Sequence, residues 1–151
     1  MKNLKTYLFI LLSVMAFSSC STDKTMIAKG VNLNKYEYAS LVQTKNGFGT
    51  TTDIEIEPGI YDAIESTRLS MVGDRRIEDL SSDQKAKLVL AKYSATSNQN
   101  ESVLSISFED YMTGKTVASC RASSKGAWTR QKDVDRAIRK LGDRIVKVWG
   151  R

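Results

Sequence analysis

The chain has 151 residues, with 23 Lys and Arg against 17 Asp and Glu, a formal charge of +6, and no histidine. Without an imidazole there is no His-based triad, no histidine-ligated zinc hydrolase and no histidine-held haem. Only two cysteines are present, Cys20 and Cys120, which leaves a single pair for any disulfide.

Lys2 and Lys5 precede an apolar run, YLFILLSVMAF, at residues 7–17. The run is short for a bilayer span, which needs about 20 residues. It has the length and positive flank of a secretory signal. It ends in Phe17-Ser18-Ser19-Cys20 rather than an A-x-A-like site. That stretch resembles a bacterial lipobox, with Phe17 where Leu is usual. The competing reading is a buried cysteine closing a transmembrane helix. The lipobox resemblance implies a signal peptide at 1–19 and lipidation of Cys20, palmitate among the chains. Several acyl chains on one cysteine make a stable anchor where one alone is marginal. Residues 20–34 then read as a polar, lipidated tether, and 35–151 as a single α/β domain. Cys120 is left as a lone thiol.

The first strand is expected at 36–42 (YEYASLV), followed by an Asn46-Gly47 turn. The alternation in DIEIE, 53–57, predicts a half-buried strand or strand-like lead-in. Pro58 suits the first position of a helix. Ile60, Ala63, Ile64, Thr67 and Met71 continue at helical spacing, and Gly73 suits a helix C-terminus. This predicts a helix over 58–72. Ser81 with Gln84 three later resembles a capping box.

Three strands are predicted next, over 87–95, 103–112 and 115–123. SNQNE (97–101) and Thr113-Gly114 supply the turns. The last element is a helix on the stripe Val134, Ala137, Ile138, Leu141, Ile145 and Val148. Asp133 and Asp135 in its first turn and Arg144 and Lys147 near its end suit the helix dipole. Gly142 is expected to bring this helix close to the sheet over Ala118 and Ala122. The fold class that follows is α+β: a two-layer sandwich with an approximately four-stranded, mostly antiparallel sheet and two helices on one face. A crossover through the first helix sets the first strand parallel to the second.

No convergent catalytic set emerges. Cys120, between Ala118 and Ala122 on a strand, reads as a small buried residue rather than a nucleophile, which would need a base or cation beside it. Glu109 and Asp110 are adjacent on a strand and point to opposite faces, so they do not converge on one site. Asp53, Glu55 and Glu57 would share a face in a strand, but no further ligands or glycine-turned loop accompany them, so no metal site is expected. No cofactor is expected either. Trp128 and Trp149 flank the last helix and Tyr36, Tyr38 and Tyr61 add amphipathic surface; such aromatics beside basic residues can line a glycan or peptide groove but read first as closing the ends of the core.

Charge is asymmetric. Residues 53–83 carry nine acids and three Arg, a net of −6, while 121–151 carry ten basic residues and three acids, a net of +7. On the last helix Lys132, Arg136, Lys140, Arg144 and Lys147 stack at three-to-four spacing. This stripe reads as a binding surface for anionic headgroups or lipopolysaccharide phosphates, as a dock for an acidic partner protein, or as a solvated face beside the acidic first helix. Export argues against nucleic acid.

The segments LNKYEYASLV, KLVLAKYSA and VLSISFEDYMTGKTVASCRASS, with the signal, resemble small bacterial envelope lipoproteins of a domain-of-unknown-function family. They are distantly similar to the curli-secretion and penicillin-binding-protein-activator lipoproteins. The resemblance implies a non-enzymatic accessory or adaptor domain that binds another envelope protein, lipid-anchored through Cys20. The expected location is the outer membrane, facing the periplasm. The alternative is a ligand-binding or enzymatic lipoprotein acting on envelope glycan or lipid.

Overall fold

The computed structural model describes residues 23–43, 51–73, 76–97 and 101–151. The signal, Cys20 and the Asn46-Gly47 turn lie outside the described residues. The strands are β1 (Lys24–Ile27), β2 (Tyr38–Gln43), β3 (Ser70–Met71), β4 (Leu88–Ser97), β5 (Glu101–Asp110) and β6 (Thr116–Lys125). The helices are α1 (Thr51–Glu65), the short α2 (Ser82–Ala86) and α3 (Arg130–Trp149), with a 3-10 turn at Leu33–Lys35. The expected four-stranded sheet with two helices is therefore corrected: the sheet is mixed and six-stranded, in the order β1-β6-β5-β4-β2-β3, with three helices. β2 runs parallel to both β3 and β4, and the remaining pairings are antiparallel.

Two strands lie in segments read otherwise from the sequence. Lys24–Ile27, read as tether, pairs antiparallel with β6 as an edge strand whose four residues are all exposed. An edge strand needs only backbone hydrogen bonds on one side, so its side chains need not alternate. Ser70–Met71, read as the end of the first helix, adds a two-residue edge on β2.

The larger correction is at 53–57, which is helix rather than strand. Ile56, Ile60 and Ile64 are buried at intervals of four and form one helical stripe. The Ile54-Ile56 alternation is a short coincidence within that longer period. Pro58 sits inside α1, where it removes one rung of the backbone ladder. The helix closes at Glu65, where the Ser66 and Thr67 hydroxyls donate to the Ala63 and Ile64 carbonyls at 2.8 and 2.6 Å. Arg68 then turns inward and donates to the carbonyls of Tyr36 and Leu33 at 2.7 and 2.6 Å.

The core lies between one face of the sheet and the helices α1 and α3. Val89, Ala91, Tyr93 and Ala95 of β4 alternate inward, as do Leu104, Ile106 and Phe108 of β5 and Ala118, Cys120 and Ala122 of β6. Val134, Ala137, Leu141, Ile145 and Trp149 of α3 meet them. Thr129 caps α3, its hydroxyl accepting from the Lys132 amide at 3.3 Å. Ser81 and Gln84 form a reciprocal capping box on α2.

The two long helices touch through small residues. A Cβ on Gly142 would lie 3.3 Å from Ala63 Cβ, so this glycine faces α1 and not Ala118 or Ala122. A Cβ on Gly59 would lie 2.7 Å from Ile138 Cγ2. Gly59→Ala gains about 1 kcal/mol of helix propensity, but the overpacking costs about 1–3 kcal/mol. The expected net result is a loss of stability in urea denaturation, relieved in the Gly59→Ala, Ile138→Ala pair. Additive losses in the pair would disprove the contact.

Candidate functional site

On the face of the sheet away from α1 and α3, side chains of β4, β5, β6 and β1 line a shallow concavity of about 550 Å³. Strand alternation explains its composition. On β5, Ser105 lies between Ser94 of β4 and Arg121 of β6, and Ser107 between Lys92 and Ser119. The floor is thus a set of serines: Ser94, Ser105, Ser107 and Ser119. The Ser94 and Ser105 hydroxyls bond to each other at 2.7 Å, and Ser107 donates to the Lys92 carbonyl at 3.5 Å. One rim is the half-buried Lys92–Glu109 ion pair. The other is Lys24, Met26 and Arg121.

The Ser94 and Ser105 hydroxyls meet each other, Ser107 meets a carbonyl, and Lys92 is paired with Glu109. A nucleophilic serine needs an adjacent general base to be activated. A serine floor with charges of both signs at the rim suits a polar partner surface or a hydroxyl-rich ligand.

The predicted basic stripe divides in two. Arg144 and Lys140 turn toward Asp23 at the start of β1, with N–O distances of 3.3 and 3.9 Å. Lys140 also donates to the Ser123 carbonyl at 2.8 Å, and Arg144 to Thr25 Oγ1 at 3.3 Å. Asp23 accepts from the Ser123 amide at 2.8 Å. These two cations therefore staple the edge strand to α3 and β6. Lys132, Arg136 and Lys147 stay exposed on the outer face of α3. The tyrosines do not gather into a groove: Tyr36 is in the core, Tyr38 is on the far face of β2, and Tyr61 is exposed on α1.

Residues 53–57 lie in helix α1, so the strand alternation that would set Asp53, Glu55 and Glu57 on one face does not apply. Among the described residues, no three Cys, Asp or Glu side chains gather as a metal site.

Glu109 and Asp110 diverge as expected, but Asp110 is no solvated strand end. It is 4% exposed and accepts four hydrogen bonds. Lys35 Nζ and Tyr36 Oη donate to one of its oxygens at 2.7 and 2.8 Å, and the Thr113 amide and hydroxyl to the other at 2.9 and 3.1 Å. Burial alone would raise its pKa; these donors outweigh it and hold the carboxyl well below the usual range. The cluster joins the β5–β6 turn to the linker before β2. It is a structural knot rather than a site.

Cys120 is buried. Burial pushes its thiol up to about 11, against a hydrogen bond with Thr25 and the charge of Arg144. At neutral pH the thiolate is scarce, so a maleimide is expected to label native protein at least about 100-fold more slowly than unfolded chain. Fast native labelling would restore Cys120 as a candidate nucleophile.

No protein-family model matches the chain, and no curated protein matches it. Among solved structures, the fold is similar to that of a PelC dodecamer from Paraburkholderia phytofirmans. The TM-score is 0.57 at 11% identity, over 82% of this chain and 97% of that one. A DUF4136 family protein from Bacteroides thetaiotaomicron aligns at a TM-score of 0.46 and 10% identity, over 87% of this chain and 97% of that one. At 11% identity the similarity to the PelC structure is one of fold.

Proposed function

We propose that this chain is a lipid-anchored, non-enzymatic envelope protein whose domain binds another envelope protein through the serine-lined face of its sheet. The observation that carries this reading is the concavity itself. It spans four strands of the sheet, four serines line its floor, and its rim bears charges of both signs. Such a surface favours electrostatic complementarity over bulk burial, which gives specificity more than raw affinity. The signal and Cys20 support anchoring in the envelope. The PelC dodecamer supports a variant of the same reading, in which the partner is a second copy of this chain.

The test is site-specific photo-crosslinking in cells. A photoreactive residue at Ser107 is expected to capture one envelope protein, and the same residue at Glu65 on α1 to capture none. Ser107→Arg, with unchanged thermal unfolding, should abolish the product when the crosslinker stands at Ser119. Capture from Glu65 as strong as from Ser107 would refute the surface. A ladder of self-adducts would make the partner another copy. A glycan or lipid adduct would favour a ligand-binding lipoprotein instead.

A further inference from the structure

The register of β1 decides which end of the domain adjoins the anchor. Lys24 lies opposite Arg121 and Ile27 opposite Ala118. Stepping back from Lys24 toward Cys20 therefore follows the direction from Arg121 to Lys125 and on into the β6–α3 connection. Asp23 is three residues from Cys20, a reach of no more than about 11 Å for an extended chain. The start of α3 is held at the same end. Asp133, in its first turn, accepts from Ser124 Oγ at 2.9 Å and from the Ala127 amide at 3.2 Å.

Trp128 sits in that connection and is 96% exposed, whereas Trp149 at the far end of α3 is 1% exposed. The sequence offers no reason for the difference, and a solvated indole has none in the fold. Lys125 and Lys132, three residues before Trp128 and four after it, are exposed, as are Lys24 of β1 and Arg136 of α3. The acids nearby are largely engaged: Asp133 is buried on Ser124 and Ala127, Asp23 meets Lys140 and Arg144, and Asp135 accepts from Gln131. Glu101 faces Lys125 in the ladder.

We infer that this end of the domain rests on an anionic bilayer surface, with the Trp128 indole at the headgroup level and Lys125 and Lys132 on lipid phosphates. The inference rests on the reading that Cys20 is the anchor, because the anchor's position puts the membrane at this end. Tryptophan partitions to the membrane interface, its ring apolar and its N–H wet. Each Lys or Arg near an anionic surface contributes about 1 kcal/mol, a roughly fivefold change in the ratio of docked to undocked protein. A tether of only three residues also makes the local lipid concentration high, so modest contacts suffice.

The test uses the full lipidated protein in vesicles whose acyl chains carry bromine, a short-range quencher of indole. Flotation reports anchoring, and quenching reports docking. In phosphatidylglycerol-containing vesicles the protein is expected to float with its exposed Trp emission quenched. Trp128→Phe should remove the quenching and leave the unquenched emission of Trp149. Lys125→Gln with Lys132→Gln should still float, with the docked-to-undocked ratio lowered about 25-fold. Protein that floats without quenching would overturn the docking while leaving the anchor intact. Equal quenching in purely phosphatidylcholine vesicles would overturn the role of the cations. Failure to float would overturn the anchor and the docking together. Loss of the envelope-protein crosslink in the Gln pair, with no quenching in the wild type, would reassign this end to an acidic protein.

Discussion

Asp110→Asn is expected to destabilise the domain by about 3 kcal/mol at neutral pH, because it leaves buried donors facing an amide that cannot accept as the carboxylate does. Tyr36 Oη and the Thr113 amide both point at the carboxylate, and Lys35 completes the pair from the half-exposed side. The same substitution changes the pH profile. The carboxyl is depressed below its unfolded value of about 3.9 in the folded state. Its contribution is therefore fully present above about pH 4 and is lost as pH falls through the folded pKa. Urea denaturation between pH 7 and pH 2 should show a steep acid limb in the wild type and a flatter one in Asp110→Asn. Parallel acid limbs would mean that another carboxylate governs acid unfolding. Lys35 acts at the opposite limit. The hydrogen bond it donates to Asp110 raises its pKa, so its contribution is present below about pH 10 and declines as pH rises through the folded value.

Trp149→Ala is expected to cost about 3–5 kcal/mol, the range for emptying a large aromatic site. Trp149 meets Phe108 edge-on at 5.0 Å between ring centroids and Tyr36 at 6.0 Å, and the Arg68 guanidinium lies 5.8 Å from its ring. It thus joins α3 to β5, to the linker before β2 and to the turn after α1. Its indole nitrogen has no hydrogen-bond partner among the described residues. Trp149→Phe removes that unmet donor together with some volume, so it should cost less than about 2 kcal/mol. The check is the urea midpoint at unchanged denaturant slope. A Phe variant as unstable as the Ala variant would show that the nitrogen is satisfied in solution.

The uncovered sheet face and the Trp128 end give this small domain two separable surfaces. One lies across four strands and faces sideways from α1 and α3. The other lies at the strand ends that carry Lys24 and Lys125. A lipid-anchored protein docked by the second would hold the first at a defined angle to the membrane, which is what an adaptor needs.

Much of the domain was legible in the sequence because its signals are local. The α3 stripe, the capping box at Ser81 and Gln84, the Thr113-Gly114 hairpin and the inward alternation of β5 and β6 each rest on neighbours within a turn or a strand. Burial of Cys120 between two alanines follows from the same alternation. The candidate site was far less legible. Its serines look like any solvated strand face until the ladders β4–β5–β6–β1 set them side by side.

The sequence by itself determined the hairpin strands, the amphipathic last helix, the lone buried thiol and the absence of imidazole chemistry, because each is a property of residue type or of short-range period. Only the tertiary structure decided the rest. It made 53–57 helical, because Ile56 completes a stripe with Ile60 and Ile64 against the core. It turned a polar stretch into β1, because pairing with β6 requires backbone groups and no side-chain pattern. It spent Lys140 and Arg144 on Asp23, more than a hundred residues away, set Gly142 against Ala63, and buried Trp149 while leaving Trp128 in solvent. These outcomes depend on contacts between distant segments, and no local window of the chain contains both partners.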